Sequence, residues 1–258
     1  MNRISQPKST GINASFLRVW GFLFVVLGTV GSSIIMNRFL HMGQVSNLEL
    51  LEALQSSKQT MILATAALVL QAVESCAVPI FCFLLVEGVI HTSDFQKYFL
   101  RVLGLAVLSE LPYNFAMSGK LLDTSGRNPV FAMVLCLILL YLFKRYEKRS
   151  FVNFLLKVAF TAAAIIWVSM LKIDEGGPCV LMTVVLWLCR NKKLYRNFIG
   201  SAAAACCCIF SPFYLASPMG FMAVYFYNGE KGSTSRVISY LTYPAVLLLV
   251  GLTARFAF

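Results

Sequence analysis

Charge is what this sequence has least of: 13% of its 258 residues are Asp, Glu, Lys or Arg, while 59% are hydrophobic. Soluble domains carry about 25% charged residues, so this composition excludes an ordinary soluble fold. Acids are scarcer than bases, 11 against 22, which leaves a net charge of +11. Histidine occurs only at His41 and His91. There is no Walker-type glycine loop, no GxSxG elbow and no HExxH, so the usual signatures of nucleotide, serine-hydrolase and zinc-protease chemistry are missing. The eight cysteines form no CxxC pair and no Cys/His cluster, and neither a disulfide framework nor a metal site is expected. Cys206, Cys207 and Cys208 follow four alanines and read as small helix-packing residues.

Apolar runs fill the chain instead, and its mean hydropathy is +0.75. Runs of about 17 to 25 apolar residues are long enough to cross a hydrocarbon layer roughly 30 Å thick as helices. Such runs, bounded by proline, glycine and charge, lie at 16–36, 64–90, 98–117, 128–144, 151–171, 177–190, 197–211, 216–228 and 236–256. The chain is therefore expected to be all-α, a single polytopic transmembrane helical bundle over residues 1–258 with about nine spans. Ser211-Pro212 and Ser217-Pro218 leave open a broken pair in place of the seventh and eighth crossings. The first run follows a basic tail, 1–15, but is too long for a secretory signal core and lacks a small-residue cleavage site, so it is expected to stay attached.

The positions of the basic residues decide what the net charge means. Arg3, Lys8 and Arg18, then Lys97 and Arg101, then Lys144, Arg145, Lys148 and Arg149, then Arg190, Lys192, Lys193 and Arg196, and finally Lys231 and Arg236 hold fifteen of the 22 bases. The intervening segments hold six: Arg38, Lys58, Lys120, Arg127, Lys172 and Arg255. Lys and Arg accumulate in cytoplasmic loops, which predicts a cytoplasmic N-terminus and an external C-terminus in a bacterial inner or plasma membrane. The expected partner is the lipid bilayer, not nucleic acid. Lys157 lies inside the fifth run and is expected to snorkel. The external segment 43–59, with Ser46 and Glu49 in capping-box spacing, reads as a short interfacial helix.

Ionisable side chains within spans are costly to insert, which singles out Glu74, Glu87 and Glu110. Glu74, beside Gln71 and Ser75, suits a helix-to-helix hydrogen bond. Glu87 and His91 stand four apart and share a helix face. That pair is either a carboxylate orienting a general base or a structural ion pair at a helix end. Glu110 sits in Ser109-Glu110-Leu111-Pro112-Tyr113-Asn114, where Pro112 disrupts the backbone ladder as it does in helices that line cavities. Arg127-Asn128-Pro129, Asp174-Glu175-Gly176 and Tyr227-Asn228-Gly229-Glu230-Lys231 are further polar clusters with the composition of turns.

These same residues carry a family resemblance. Pro79-Ile80-Phe81 followed by Glu87-Gly88-Val89-Ile90-His91-Thr92 resembles a signature of the TraX family, membrane proteins named for the enzyme that acetylates the N-terminal amine of conjugative pilin. Tyr98 and Arg101, Ser109 to Pro112, Asn128 to Phe131, Asp174 with Gly176, Tyr227 to Gly232 and Tyr243-Pro244 resemble its later motifs in order, over roughly residues 64–256. The resemblance implies a membrane-embedded acyltransferase that moves an acetyl group from acetyl-CoA to an amine or hydroxyl of a peptide or other membrane-proximal acceptor. It implies His91 as base with Glu87 as its partner, and Glu110, Asn114, Arg127, Asn128 and Asp174 along the acceptor path. Arg101, Tyr227, Asn228, Gly229 and Lys231 would then meet the cofactor. The sequence departs from the family where the first span normally ends in Asp-His, here Gly28-Thr29, and at Glu175, which replaces a turn Tyr. A catalytically inactive scaffold that binds a partner, or a small transporter, are the alternatives those departures leave.

Overall fold

Short polar residues fix where the helices begin. Asn13 accepts from the N–H of Phe16 at 2.9 Å and opens α1 (Ala14–Thr29), which continues without a break into a π-helix (Val30–Phe39). Ser57 accepts from Thr60 to open α2 (Lys58–Ser75), which joins α3 (Ala77–His91) through Cys76. Asp94 accepts from Lys97 at 3.0 Å to open α4 (Phe95–Ser118), and Gly119, at φ 70°, closes it. Then follow α5 (Val130–Arg145), α6 (Phe151–Met170), α7 (Gly176–Leu188), α8 (Lys193–Cys206), α9 (Pro218–Tyr225) and α10 (Arg236–Phe256). The structure is a computed structural model describing residues 11–40, 57–148, 150–232 and 236–256. The interfacial segment and His41 expected between 41 and 56 fall outside these, as do most of the basic tail and Arg149.

The described residues form an all-helical fold without a strand; its extended contacts are two isolated bridges, Ile12 with Tyr227 and Arg127 with Ile173. The core lies where α3, α5 and α7 meet, around Ile80, Phe83, Leu137, Leu140, Phe143 and Met182. α1 packs on α2 and α3, α10 packs on α4, and α6 lies outermost with only Val168 buried. Three stretches have the length and hydropathy of membrane crossings: Ala14–Phe39, Lys58–His91 and Phe151–Met170. Lys157 on α6 stands over the Phe143 ring at 5.9 Å.

Helix positions agree with the apolar runs, but their lengths differ where proline intervenes. α8 ends at Cys206, short 3₁₀ turns occupy Cys207–Ile209 and Pro212–Ala216, and α9 spans only 8 residues. At a rise of about 1.5 Å per residue neither α8 nor α9 matches a full crossing, and the seventh and eighth runs are a broken pair. This broken segment is pinned to the α2–α3 junction. Pro79 has no N–H for the carbonyl of Ser75. The Ser75 hydroxyl reaches the carbonyl of Phe213 at 2.9 Å, and the Cys76 thiol that of Ala216 at 3.2 Å. Gly220 of α9 crosses so close to the junction that a Cβ there would overlap the Cys76 carbonyl oxygen.

That contact is with backbone, which cannot swing aside. Gly220→Ala is expected to destabilise the fold by about 1–3 kcal/mol, the usual cost of overpacking, read as a lower thermal midpoint in detergent. An unchanged midpoint would show that α9 is free to move off the junction.

Candidate functional site

The junction also shapes a cavity of about 570 Å³. α1 and its π-helical continuation supply Thr29 and Ser32, α2 supplies Gln71 and Glu74, and the 171–175 turn supplies Asp174 and Glu175. Tyr113 of α4, Tyr243 of α10 and Tyr214 of the 3₁₀ segment close it, and its apolar wall includes Phe22, Val25, Phe81 and Phe213. Gln71 donates to the Ser32 hydroxyl at 3.1 Å, which ties α2 to the π-helix. Glu74 lies over Gly28: a Cβ on that glycine would fall inside the Glu74 side chain. Only glycine permits this approach of α1 to α2.

The turn between α6 and α7 is held under strain. Lys172 and Glu175 both adopt left-handed backbone, φ 51° and 57°, a conformation unfavourable for residues with a Cβ and common at functional sites. Two backbone bonds anchor it, Arg127 N–H to Lys172 O at 2.9 Å and Asp174 N–H to Arg127 O at 3.0 Å. The Tyr113 hydroxyl donates to the Asp174 carboxylate at 2.5 Å. Both line the cavity, Glu175 half-buried and Asp174 exposed. Burial pushes Glu175 up to about 7, with Asp174 adding to the rise and the nearby Tyr214 phenol opposing it. Burial likewise raises Asp174, against the hydrogen bond from Tyr113. The Tyr214 hydroxyl is buried beside Glu175 and makes no hydrogen bond of ordinary geometry among the described residues.

Of the five residues expected along an acceptor path, Asp174 alone lines this cavity. Asn128 and Glu110 stand behind it. The Asn128 side chain donates to Ser109 Oγ at 2.6 Å and accepts from the Tyr243 hydroxyl at 3.1 Å and the Val130 N–H at 3.0 Å. Glu110 accepts from the Asn128 N–H at 3.2 Å. The Ser-Glu-x-Pro and Asn-Pro motifs are thus consumed by one another in a fixture that sets Tyr243. Asn114 is buried in α4, and the Arg127 side chain is exposed.

The other expected centre lies at the far end of α3. Glu87 Oε2 is 3.1 Å from His91 Nε2, and Glu87 Oε1 is 3.7 Å from Arg196 of α8, whose guanidinium stacks on Phe83 at 4.6 Å. Tyr227 meets the same Phe83 ring edge-on at 5.1 Å. The 226–232 loop is fastened to the N-terminal segment by Ile12 N–H to Phe226 O, Asn228 N–H to Ile12 O and Ala14 N–H to Glu230 O. Lys193 reaches the Tyr227 carbonyl at 3.3 Å. Gly229 takes φ 85°, and Lys231 and Arg101 are exposed. The His91 side chain is 68% exposed. Ten residues of α3 separate it from Phe81 in the cavity wall, about 15 Å at helical rise. His91 is therefore close to Glu87 but distant from the cavity.

The model of the family described as TraX protein matches residues 50–253. The chain belongs to the TraX family. No curated protein matches it, and no solved structure does. The TraX match takes in Glu74, Tyr113, Asp174, Glu175, Tyr214 and Tyr243 but begins after α1, so Phe22, Val25, Thr29 and Ser32 are the described lining residues outside it. Glu74, Tyr113, Glu175, Tyr214 and Tyr243 are among the cavity residues that sequence reasoning did not assign to a site. For Glu74 the signal was present, a carboxylate within an apolar run.

Two outcomes follow from these bonds. Asn128→Ala leaves the Tyr243 hydroxyl and the Val130 N–H without their acceptor in a buried place and is expected to cost about 2–3 kcal/mol, against about 1 kcal/mol for Tyr243→Phe, measured by thermal unfolding. Glu175 binds its proton more tightly folded than unfolded, so stability falls as pH rises from about 4.5 to about 7 and stays at the lower level above. The midpoint should climb on acidification through that window, and Glu175→Gln should flatten the slope; an identical slope in the variant would refute the placement of this carboxyl.

Proposed function

We propose that this TraX-family protein is a membrane-embedded acyltransferase whose acceptor, an amine or hydroxyl, enters the acidic cavity while the acyl group arrives from the opposite, basic end of the bundle. The observation that carries this reading is the placement, in one cavity, of the Glu175 carboxyl, pushed up to about 7, beside the buried Tyr214 phenol. A base poised near the working pH both holds and releases a proton efficiently. Membrane residence is supported by the three long apolar helices and by the wide apolar exterior, with Phe151, Leu194, Phe198 and Met219 among many exposed hydrophobics. The distribution of Lys and Arg favours a cytoplasmic N-terminus and a bacterial inner membrane, with His91, Arg196 and Lys231 on the cytoplasmic side. Glu74 then sits midway along the 34-residue stretch Lys58–His91, near the bilayer centre.

Acetyl-CoA would supply a thioester carbonyl. Its phosphates suit the end that carries Arg101, Lys193, Arg196 and Lys231, and they do not suit a cavity whose lining, among the described residues, holds three carboxylates and no Lys, Arg or His. Glu175 takes the proton from the acceptor N–H or O–H, and the freed lone pair forms the bond to the carbonyl carbon. Tyr214 donates its hydroxyl to the oxygen on which charge develops, the role of an oxyanion hole. As the tetrahedral centre collapses, the carbon–sulfur bond breaks and the departing thiolate takes up the proton that Glu175 removed from the acceptor. Glu87, Arg196 and His91 form the ion-paired surface at the basic end.

Gly28 and Thr29, standing where the TraX resemblance has an Asp-His pair, favour a second reading: a non-catalytic scaffold that binds a partner. Transfer of labelled acetyl from acetyl-CoA to membrane material separates the two. Glu175→Gln should reduce transfer by about 10²–10⁴, the range of general-base contributions, while His91→Ala should lower it less than about tenfold. If neither transfer nor saturable stabilisation by acetyl-CoA is seen at millimolar concentration, the scaffold reading stands.

A further inference from the structure

We infer that the cavity is a binding site for an extended organic polycation, a polyamine-like chain with two or more ammonium groups separated by methylenes. Glu74, Asp174 and Glu175 enter one space of about 570 Å³ from different elements, Glu74 and Glu175 half-buried and Asp174 at its exposed edge, and among the described residues no Lys, Arg or His lines it. Carboxylates gathered in one part-enclosed space without a counter-charge favour a cation among them. A metal ion is a poor fit: among the described residues no three His, Cys, Asp or Glu side chains stand close enough to hold one. Groups that share a cavity but cannot converge on one point are matched by a ligand whose charges are spread along a chain.

Two further features agree with that chemistry. The Tyr214 hydroxyl, on a side chain 3% exposed, lines the cavity beside Glu175, makes no hydrogen bond of ordinary geometry among the described residues, and offers an acceptor to an N–H donor. Between the carboxylates the wall is aromatic and aliphatic, with Phe81, Phe213, Tyr113 and Val25. Methylenes pack on such a surface and ammonium groups are attracted to the ring faces. The inference rests on the cavity alone and does not require group transfer.

The test uses the full-length chain in detergent, with thermal unfolding followed against spermidine, butylamine and magnesium chloride. Spermidine is expected to give a saturable upshift at a concentration at least about tenfold below that of butylamine, because a second ammonium meets a second carboxylate. Magnesium should give none. Glu74→Gln and Glu175→Gln should each weaken spermidine about tenfold or more, and Glu87→Gln, at the far end of α3, should leave it unchanged. The inference is overturned by absence of any spermidine shift, by butylamine or magnesium acting equally well, or by undiminished binding in the Glu74→Gln/Glu175→Gln double variant. Spermidine binding without acetyl transfer would remove the enzyme reading and leave this one. Transfer without spermidine binding would do the reverse.

Discussion

The interruption between α2 and α3 is the constraint from which the rest of the structure follows. An unbroken helix through Ser75 and Cys76 would satisfy its own carbonyls and offer nothing to its neighbours. Because Pro79 cannot donate there, the junction is held from outside, by Ser75 on the Phe213 carbonyl and Cys76 on the Ala216 carbonyl. Those bonds fasten the 3₁₀ segment Pro212–Ala216 against the bundle and thereby deliver Tyr214 to the cavity. The same break ends α2 just beyond Glu74, whose carboxyl lies in the space above Gly28. Backbone irregularity is tolerated where it borders other protein groups or a cavity, and here it does both.

α3 separates two electrostatic regimes. At one end the positive charges of Arg196 and Lys193 meet Glu87 and the Tyr227 carbonyl close to the surface. There the Glu87–His91 pair, with His91 mostly exposed, holds little energy, whereas Arg196 is buried against Glu87. At the other end three carboxyls are gathered without a counter-charge among the described residues, and burial makes the ionisation of Glu175 costly. Bases thus stand at one end of α3 and acids at the other.

The helices were legible because apolar runs of spanning length admit one backbone solution; α10 was expected and found at 236–256. The cavity was less so. Ser109, Glu110 and Asn128 read as site residues because they are polar in apolar surroundings, yet in the fold they satisfy one another and the Tyr243 hydroxyl. Sequence gives the cost of burying a polar group but not the identity of its partner, which lies up to 115 residues away in the case of Asn128 and Tyr243. The π-helix from Val30 to Phe39 left no mark in composition, since its i to i+5 ladder is imposed by packing. Glu175 was visible only as a departure from a turn motif, whereas its strained backbone and its elevated proton affinity arise from what surrounds it.

Gly28 and Glu74 show how such a departure is accommodated. The wall formed by α1 lies outside the stretch that matches TraX, and at Gly28 it has no side chain. The missing volume is not empty: the Glu74 side chain occupies the space a Cβ would need, so α1 and α2 approach more closely than any larger residue allows. The two positions are therefore one unit, since a side chain restored at Gly28 would collide with Glu74 and a smaller residue at Glu74 would open a gap over Gly28. The acidic character of the cavity reaches it from α2 and from the 171–175 turn, and the first helix contributes backbone proximity, with Thr29 and Ser32 as its polar groups. A site in which the charge has this origin keeps its field even though the sequence of its first helix gives no sign of one.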